Sequence, residues 1–139
     1  KKILLAYDGS SYAQKAADYV VNMAKGTNGE VVILTVREPT PTYSSRVVFD
    51  RVELEKELQE KAEKIISQAE EKFVNSGIKY ETKILAGDPA EIICQLAKET
   101  QVTEIVMGNR GMNQVSRLFL GSVSNKVINS SPCTVVIVK

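Results

Sequence analysis

Five short apolar runs recur along the chain, and four helical patterns separate them. Ile3 to Tyr7 is the first run, and it stops at Asp8-Gly9-Ser10-Ser11. Ser11 and Gln14 stand at capping-box spacing. Apolar residues then return at Ala13, Ala16, Ala17, Val20, Val21 and Ala24, which is helical periodicity, before Gly26 and Gly29 bracket a turn. Val31 to Val36 is almost continuously apolar and β-branched, the composition of a strand covered on both faces. Periodicity is lost over residues 37–49, where Pro39 and Pro41 fall. A loop of that length is read either as a functional lid or as a segment without fixed structure.

A long helix is expected from Asp50, with Asp50 and Glu53 at cap spacing. Its apolar stripe is Leu54, Leu58, Ala62, Ile65, Ile66, Ala69 and Phe73. Glu57 with Lys61 and Glu60 with Lys64 form a solvated face in the favourable order. Asn75-Ser76-Gly77 ends it. Tyr80 to Leu85 alternates polar and apolar, as an edge strand does. Asp88, Pro89 and Glu91 then stand where an N-cap, a first helical position and a capping box require them. Ile92, Ile93, Leu96 and Ala97 follow as a core face. Glu104 to Met107 is a fourth strand, Ser122 to Asn129 a short helix and Cys133 to Val138 a fifth strand.

Strictly alternating strands and helices predict an α/β fold: an open parallel five-stranded sheet with helices on both faces. The order 3-2-1-4-5 puts the alternating third strand at one edge. It also reverses the winding between strands 1 and 4, and ligands of such sheets bind beyond the carboxyl ends at that point. The 139 residues are read as one domain, 1–139.

The candidate chemistry lies at the switch point. Strand 4 runs into Gly108, Gly111 follows, and Gly121-Ser122 opens a helix. Glycines let a backbone approach a ligand, and a helix start offers open N–H groups at the positive end of its dipole. Asp8, at the end of strand 1, comes to the same place. The main chain there is suited to an anion, read as the phosphates of an adenine nucleotide.

Composition narrows the alternatives. Lys plus Arg is 18 and Asp plus Glu is 17, a net of +1, which argues against a dedicated nucleic-acid binder. No window approaches the ~18 apolar residues of a membrane span, and Lys1 to Ala6 is too short for a signal-peptide core. A cytoplasmic home is the resulting expectation. With no histidine in the chain, His-based triads and His metal sites drop out. Cys94 and Cys133 lack metal or redox spacing and are read as small buried apolar residues.

The spacing Gly108-x2-Gly111-x9-Gly121-Ser122 after a strand resembles the nucleotide loop of the universal stress proteins. Asp8 after the first strand and the closing Pro-Cys-Thr-Val-Val-Ile-Val run are similar too, so the resemblance spans essentially the whole chain. It implies a Rossmann-like fold of the adenine nucleotide alpha hydrolase type and an ATP-binding member of the family, acting in a stress response as a homodimeric binding module. Backbone groups near Gly108 and Gly111 would hold ribose and phosphates, and Gly121, Ser122 and Val123 would present amides. Asp8, next to Tyr7, would accept from ribose hydroxyls, with capping of the turn before helix 1 as its other role. Ala6, Val36 and Met107 would wall the adenine, or serve as plain core. Arg110 would reach phosphate oxygens or lie in solvent, and Lys126 is expected to be exposed.

ATP is the expected ligand, with ADP or AMP as alternatives, and a divalent ion could ride on the phosphates without a protein ligand set. No catalytic residue and no metal ligand is assigned. A slow ATPase or nucleotide transferase using the same pocket is the competing reading, but no P-loop lysine and no converging carboxylates favour it. A flavin or electron-transfer domain is a third reading, disfavoured by the lack of aromatic stacking residues near the loop. The apolar strand Thr134 to Val138 at a sheet edge calls for pairing with its twin, giving a homodimer. A regulatory protein partner of unknown identity would receive the output; no nucleic acid and no membrane are expected as partners.

Overall fold

The structure is a computed structural model that describes residues 1–41, 48–111 and 120–139. Its elements run β1 (Lys2–Ala6), α1 (Ser11–Ala24), β2 (Glu30–Arg37), α2 (Val48–Phe73), β3 (Lys79–Ala86), α3 (Pro89–Thr100), β4 (Glu104–Gly108), α4 (Ser122–Ser130) and β5 (Thr134–Val138). The five strands form one sheet in the order β3-β2-β1-β4-β5, and every pairing is parallel. This is the expected α/β architecture and strand order.

Pleating sends successive side chains to opposite faces, so each strand feeds two cores. On one face Ile3, Leu5, Tyr7, Val31, Ile33 and Val106 pack under α1 and α2 with Ala16, Val20, Ala69 and Phe73. On the other, Leu4, Val32, Leu34, Ile105 and Met107 pack under α3 and α4 with Ile93, Leu96, Ala97 and Val127. The central strands are therefore covered twice, which is why β2 reads as a continuous apolar run. β3 is partly exposed throughout, as its alternation predicts for an edge.

Several element ends differ from the sequence expectation. Ser10, not Ser11, caps α1: its side chain accepts from Ala13 N, 3.1 Å away. Two adjacent serines carry the same hydroxyl, so periodicity cannot choose between them. α2 begins at Val48, which places Asp50 inside its first turn rather than at the cap. The 37–49 loop is correspondingly shorter at both ends, since β2 continues through Arg37; residues 42–47 of that expectation lie outside the described residues. Cys133 precedes β5 instead of opening it. Ser131 Oγ donates to Cys133 O at 2.8 Å and accepts from Cys133 N at 3.1 Å, folding the chain into a tight turn. Both cysteines are free and half-buried rather than fully buried, and burial raises the Cys94 thiol above its ordinary pKa, followed by the nearby Cys133. At α3 the expected cap is present: Asp88 Oδ2 accepts from Glu91 N at 3.1 Å, with Pro89 in the first turn. Among the described residues no helix is long and apolar enough to cross a membrane.

Candidate functional site

The carboxyl ends of β1 and β4 lie side by side, and two turns leave from them. After β1, Tyr7 N donates to Leu34 O at 2.8 Å, and Tyr7 O accepts from Thr35 Oγ1 at 2.8 Å. The backbone of Tyr7 is thus spent inside the sheet. Its ring is buried on the α1/α2 face, with the phenol held above its ordinary pKa by desolvation, then by the charges of Asp8, Asp18 and Glu71. The structure therefore does not bring the Tyr7 side chain to the rim.

Asp8 is exposed, and its Oδ1 accepts from Ser10 N at 2.9 Å. That is an Asx-type turn, in which a short carboxylate replaces a backbone acceptor. Gly9, between them, has φ +84°, where a Cβ would be strained. The turn-capping role foreseen for Asp8 is present in one oxygen. The other, Oδ2, faces Gly111: a Cβ built on Gly111 would stand 2.8 Å from it. Asp8 and Gly111, far apart in sequence, are in contact.

Gly108 ends β4 for a different reason. A Cβ there would lie 2.7 Å from Tyr12 Cβ and 2.8 Å from Tyr12 C. The first turn of α1 sits directly on the strand end, so glycine is required by packing, before any ligand is considered. Gly108 O accepts from Ser124 Oγ at 2.9 Å. Asn109 N donates to Val138 O at 2.8 Å, while Asn109 O accepts from Gly121 N at 2.9 Å and from Ser124 Oγ at 3.2 Å. These bonds close the loop, bringing Gly121 back to the stem it left. Residues 112–119 of the expected nucleotide loop lie outside the described residues.

The amide of Gly121 is consequently used by the protein. The next turn is arranged otherwise. Gly121 caps α4 with no side-chain hydrogen bond, and the first bond of the helix runs from Asn125 N to Gly121 O at 2.9 Å. The amides of Ser122, Val123 and Ser124 precede that bond, at the positive end of the helix dipole. Ser122 is exposed and Val123 half-buried. Beside them, Ala6, Val36, Met107 and Val123 all belong to the α3/α4 core; Met107 is 5% exposed, whereas Ala6 and Val36 are half-buried. The candidate apolar wall is thus a single face at its upper margin.

Arg110 neither extends over the rim nor lies in solvent. It is buried, its guanidinium stacks 4.8 Å from the centroid of the Tyr12 ring, and Nη2 donates to the Tyr12 hydroxyl. Lys126 is exposed, as expected. Sequence reasoning missed Ser10, Tyr12, Asn109 and Ser124. Ser124 is 2% exposed and holds two carbonyls of the loop stem. A serine three positions past Gly121 is the trace it leaves in the sequence.

The model of the universal stress protein family matches residues 1–139. The chain belongs to the universal stress protein family. Universal stress protein YxiE of Bacillus subtilis is 39% identical over 145 residues, covering 99% of this chain and 98% of the relative. A universal stress protein of Thermus aquaticus, from the QAH/OAS sulfhydrylase 3' region, is 39% identical over 140 residues, covering 100% and 98%. Among solved structures of this fold, hypothetical protein MJ0577 superposes with a TM-score of 0.88 at 30% identity, covering 100% of this chain and 95% of that one. Two more distant structures share the fold and hold ligands. One universal stress protein is in complex with cAMP (TM-score 0.73, 23% identity), and one from Arabidopsis thaliana has AMP bound (TM-score 0.71, 17% identity).

Proposed function

We propose that residues 1–139 form one adenine-nucleotide-binding domain, with ATP as the ligand, acting as a regulatory module rather than by turnover. The observation that carries this reading is a convergence on one rim. An exposed carboxylate (Asp8), a close-approach glycine (Gly111) and the open first turn of α4 meet beside an apolar margin. Each part suits a different piece of the ligand. Asp8 Oδ2 accepts from ribose hydroxyls, the amides of Ser122 and Val123 with the Ser122 hydroxyl meet phosphate oxygens, and Ala6, Val36 and Met107 flank the base. Hydrogen bonds to a charged acceptor contribute roughly 1.5–3 kcal/mol each, so a few such donors suffice without a P-loop lysine. The roles of Tyr7, Gly108, Arg110 and Gly121 are then indirect, since their groups are engaged within the protein. cAMP and AMP in two proteins of the same fold support an adenine ligand in kind; the assignment to this chain rests on its own rim. A divalent ion would be carried by the phosphates.

The module works as a homodimer in this reading. β5 is an edge strand, half-buried from Val135 to Val138, and among the described residues it pairs with β4 alone. A twin β5 would cover it, in a cytoplasmic stress response with a protein partner downstream.

The test is mass spectrometry of small molecules released from the denatured purified protein, followed by titration of the stripped chain with ATP, ADP and AMP. Released adenine nucleotide and saturable ATP binding are expected. Neither release nor binding at millimolar ATP would overturn the reading. Timed phosphate release on the same sample separates a binder from the slow ATPase alternative.

A further inference from the structure

We infer that Tyr12 is a positioning residue for the nucleotide rim, holding the stem of the glycine loop through Arg110. Nothing in the motif spacing marks Tyr12. Yet three features meet on it. Its Cβ and backbone are the surface on which Gly108 rests. Its ring carries two cations, the Arg110 guanidinium at 4.8 Å and Lys15 Nζ at 5.4 Å. Its hydroxyl accepts from Arg110 Nη2.

Arg110 is gripped at its other end as well. Its carbonyl lies 3.5 Å from Ser10 Oγ, and its Cα is 3.2 Å from where a Gly121 Cβ would stand. The residue that joins Asn109 to Gly111 is thereby fixed between the first turn of α1 and the cap of α4. Its immediate neighbours set the rim. Gly111 meets Asp8, and Asn109 holds Gly121. A planar guanidinium on an aromatic face gives direction as well as attraction, which a flexible ammonium does not. Tyr12 therefore determines where the loop leaves the sheet, and through that the distance between Asp8 and the α4 amides.

This rests on the nucleotide reading for its functional consequence, but not for its physical test. The measurement is amide hydrogen exchange at Asn109 and Gly121 in the nucleotide-free chain, alongside ATP titration and thermal unfolding, for Tyr12→Phe, Tyr12→Leu and Arg110→Lys. Tyr12→Phe keeps the stacked ring, so exchange and affinity are expected near those of the unaltered chain. Tyr12→Leu and Arg110→Lys are expected to speed exchange at Asn109 and Gly121 selectively, and to weaken ATP roughly tenfold, with melting temperatures little changed. Unaltered exchange at both amides in Arg110→Lys would overturn the inference, as would acceleration spread equally over β1, β2 and β4. Failure of the unaltered chain to bind ATP would remove the nucleotide reading, while the exchange comparison still decides whether Tyr12 holds the loop.

Discussion

Asp8 Oδ2 and Gly111 are in contact: a single carbon added to Gly111 would come within 2.8 Å of that oxygen. The clash is with the tip of an exposed side chain, which can swing away at the cost of at most its one bond from Ser10 N, about 0.5–1.5 kcal/mol. It cannot swing away and still face the ligand. Gly111→Val is therefore expected to abolish measurable nucleotide binding while leaving the urea midpoint nearly unchanged. Calorimetric titration with ATP beside a denaturation curve checks both halves; binding equal to that of the unaltered chain would count against the site.

Gly108 makes the opposite prediction. Its missing Cβ faces Tyr12 Cβ and backbone, at 2.7 and 2.8 Å, and neither can yield without moving α1. Overpacking of this kind costs ~1–3 kcal/mol. Gly108→Ala should lower stability by that amount, read from urea unfolding. An unchanged midpoint would mean that the helix shifts freely over the strand end.

Tyr7 presents a buried phenol with no hydrogen-bond partner among the described residues. A buried unsatisfied polar group costs ~1–3 kcal/mol, so Tyr7→Phe is expected to stabilise the protein slightly at neutral pH. The pH dependence has a definite sign. Burial raises the Tyr7 pKa above its unfolded value, so the folded state favours the neutral phenol. Stability from this group is complete below the unfolded pKa of about 10 and is lost as pH rises toward the folded value. The gap between Tyr7→Phe and the unaltered chain should therefore widen above pH 10. A constant gap in alkaline melts would place the phenol in water.

If β5 pairs with its twin, Val136→Lys should convert a dimer into a monomer at micromolar concentration, with helical circular dichroism retained. Sedimentation velocity of the two proteins decides it. An unaltered chain that already sediments as a monomer removes the homodimer from the proposal.

The alternation of strands and helices was legible because the central strands are apolar at the positions their two helical layers cover. Val31 to Leu34 illustrate it: every one is buried, two toward each core. Asp8 and the glycines were legible as a group because chain order alone brings the ends of strands 1 and 4 together. What spacing could not convey was which glycine does what. Gly108 serves packing against Tyr12, Gly111 makes room for Asp8, and the Gly121 amide closes the loop onto Asn109. These are tertiary contacts between residues with no periodic relation. The burial of Arg110 was hidden for the same reason. A cation in a phosphate-type loop suggests a phosphate contact, and its stacking on the Tyr12 ring is reached only through the fold.

The seating of α1 on the end of β4 has a mechanical result. With no room for a single added carbon between Gly108 and Tyr12, the loop stem bears directly on the first turn of α1. Its far end, near Lys25, lies at the opposite margin of the sheet, and its middle is tied to α2 by Asp18 and Lys72, 2.7 Å apart. A disturbance at Gly108 is therefore expected to be felt first along α1.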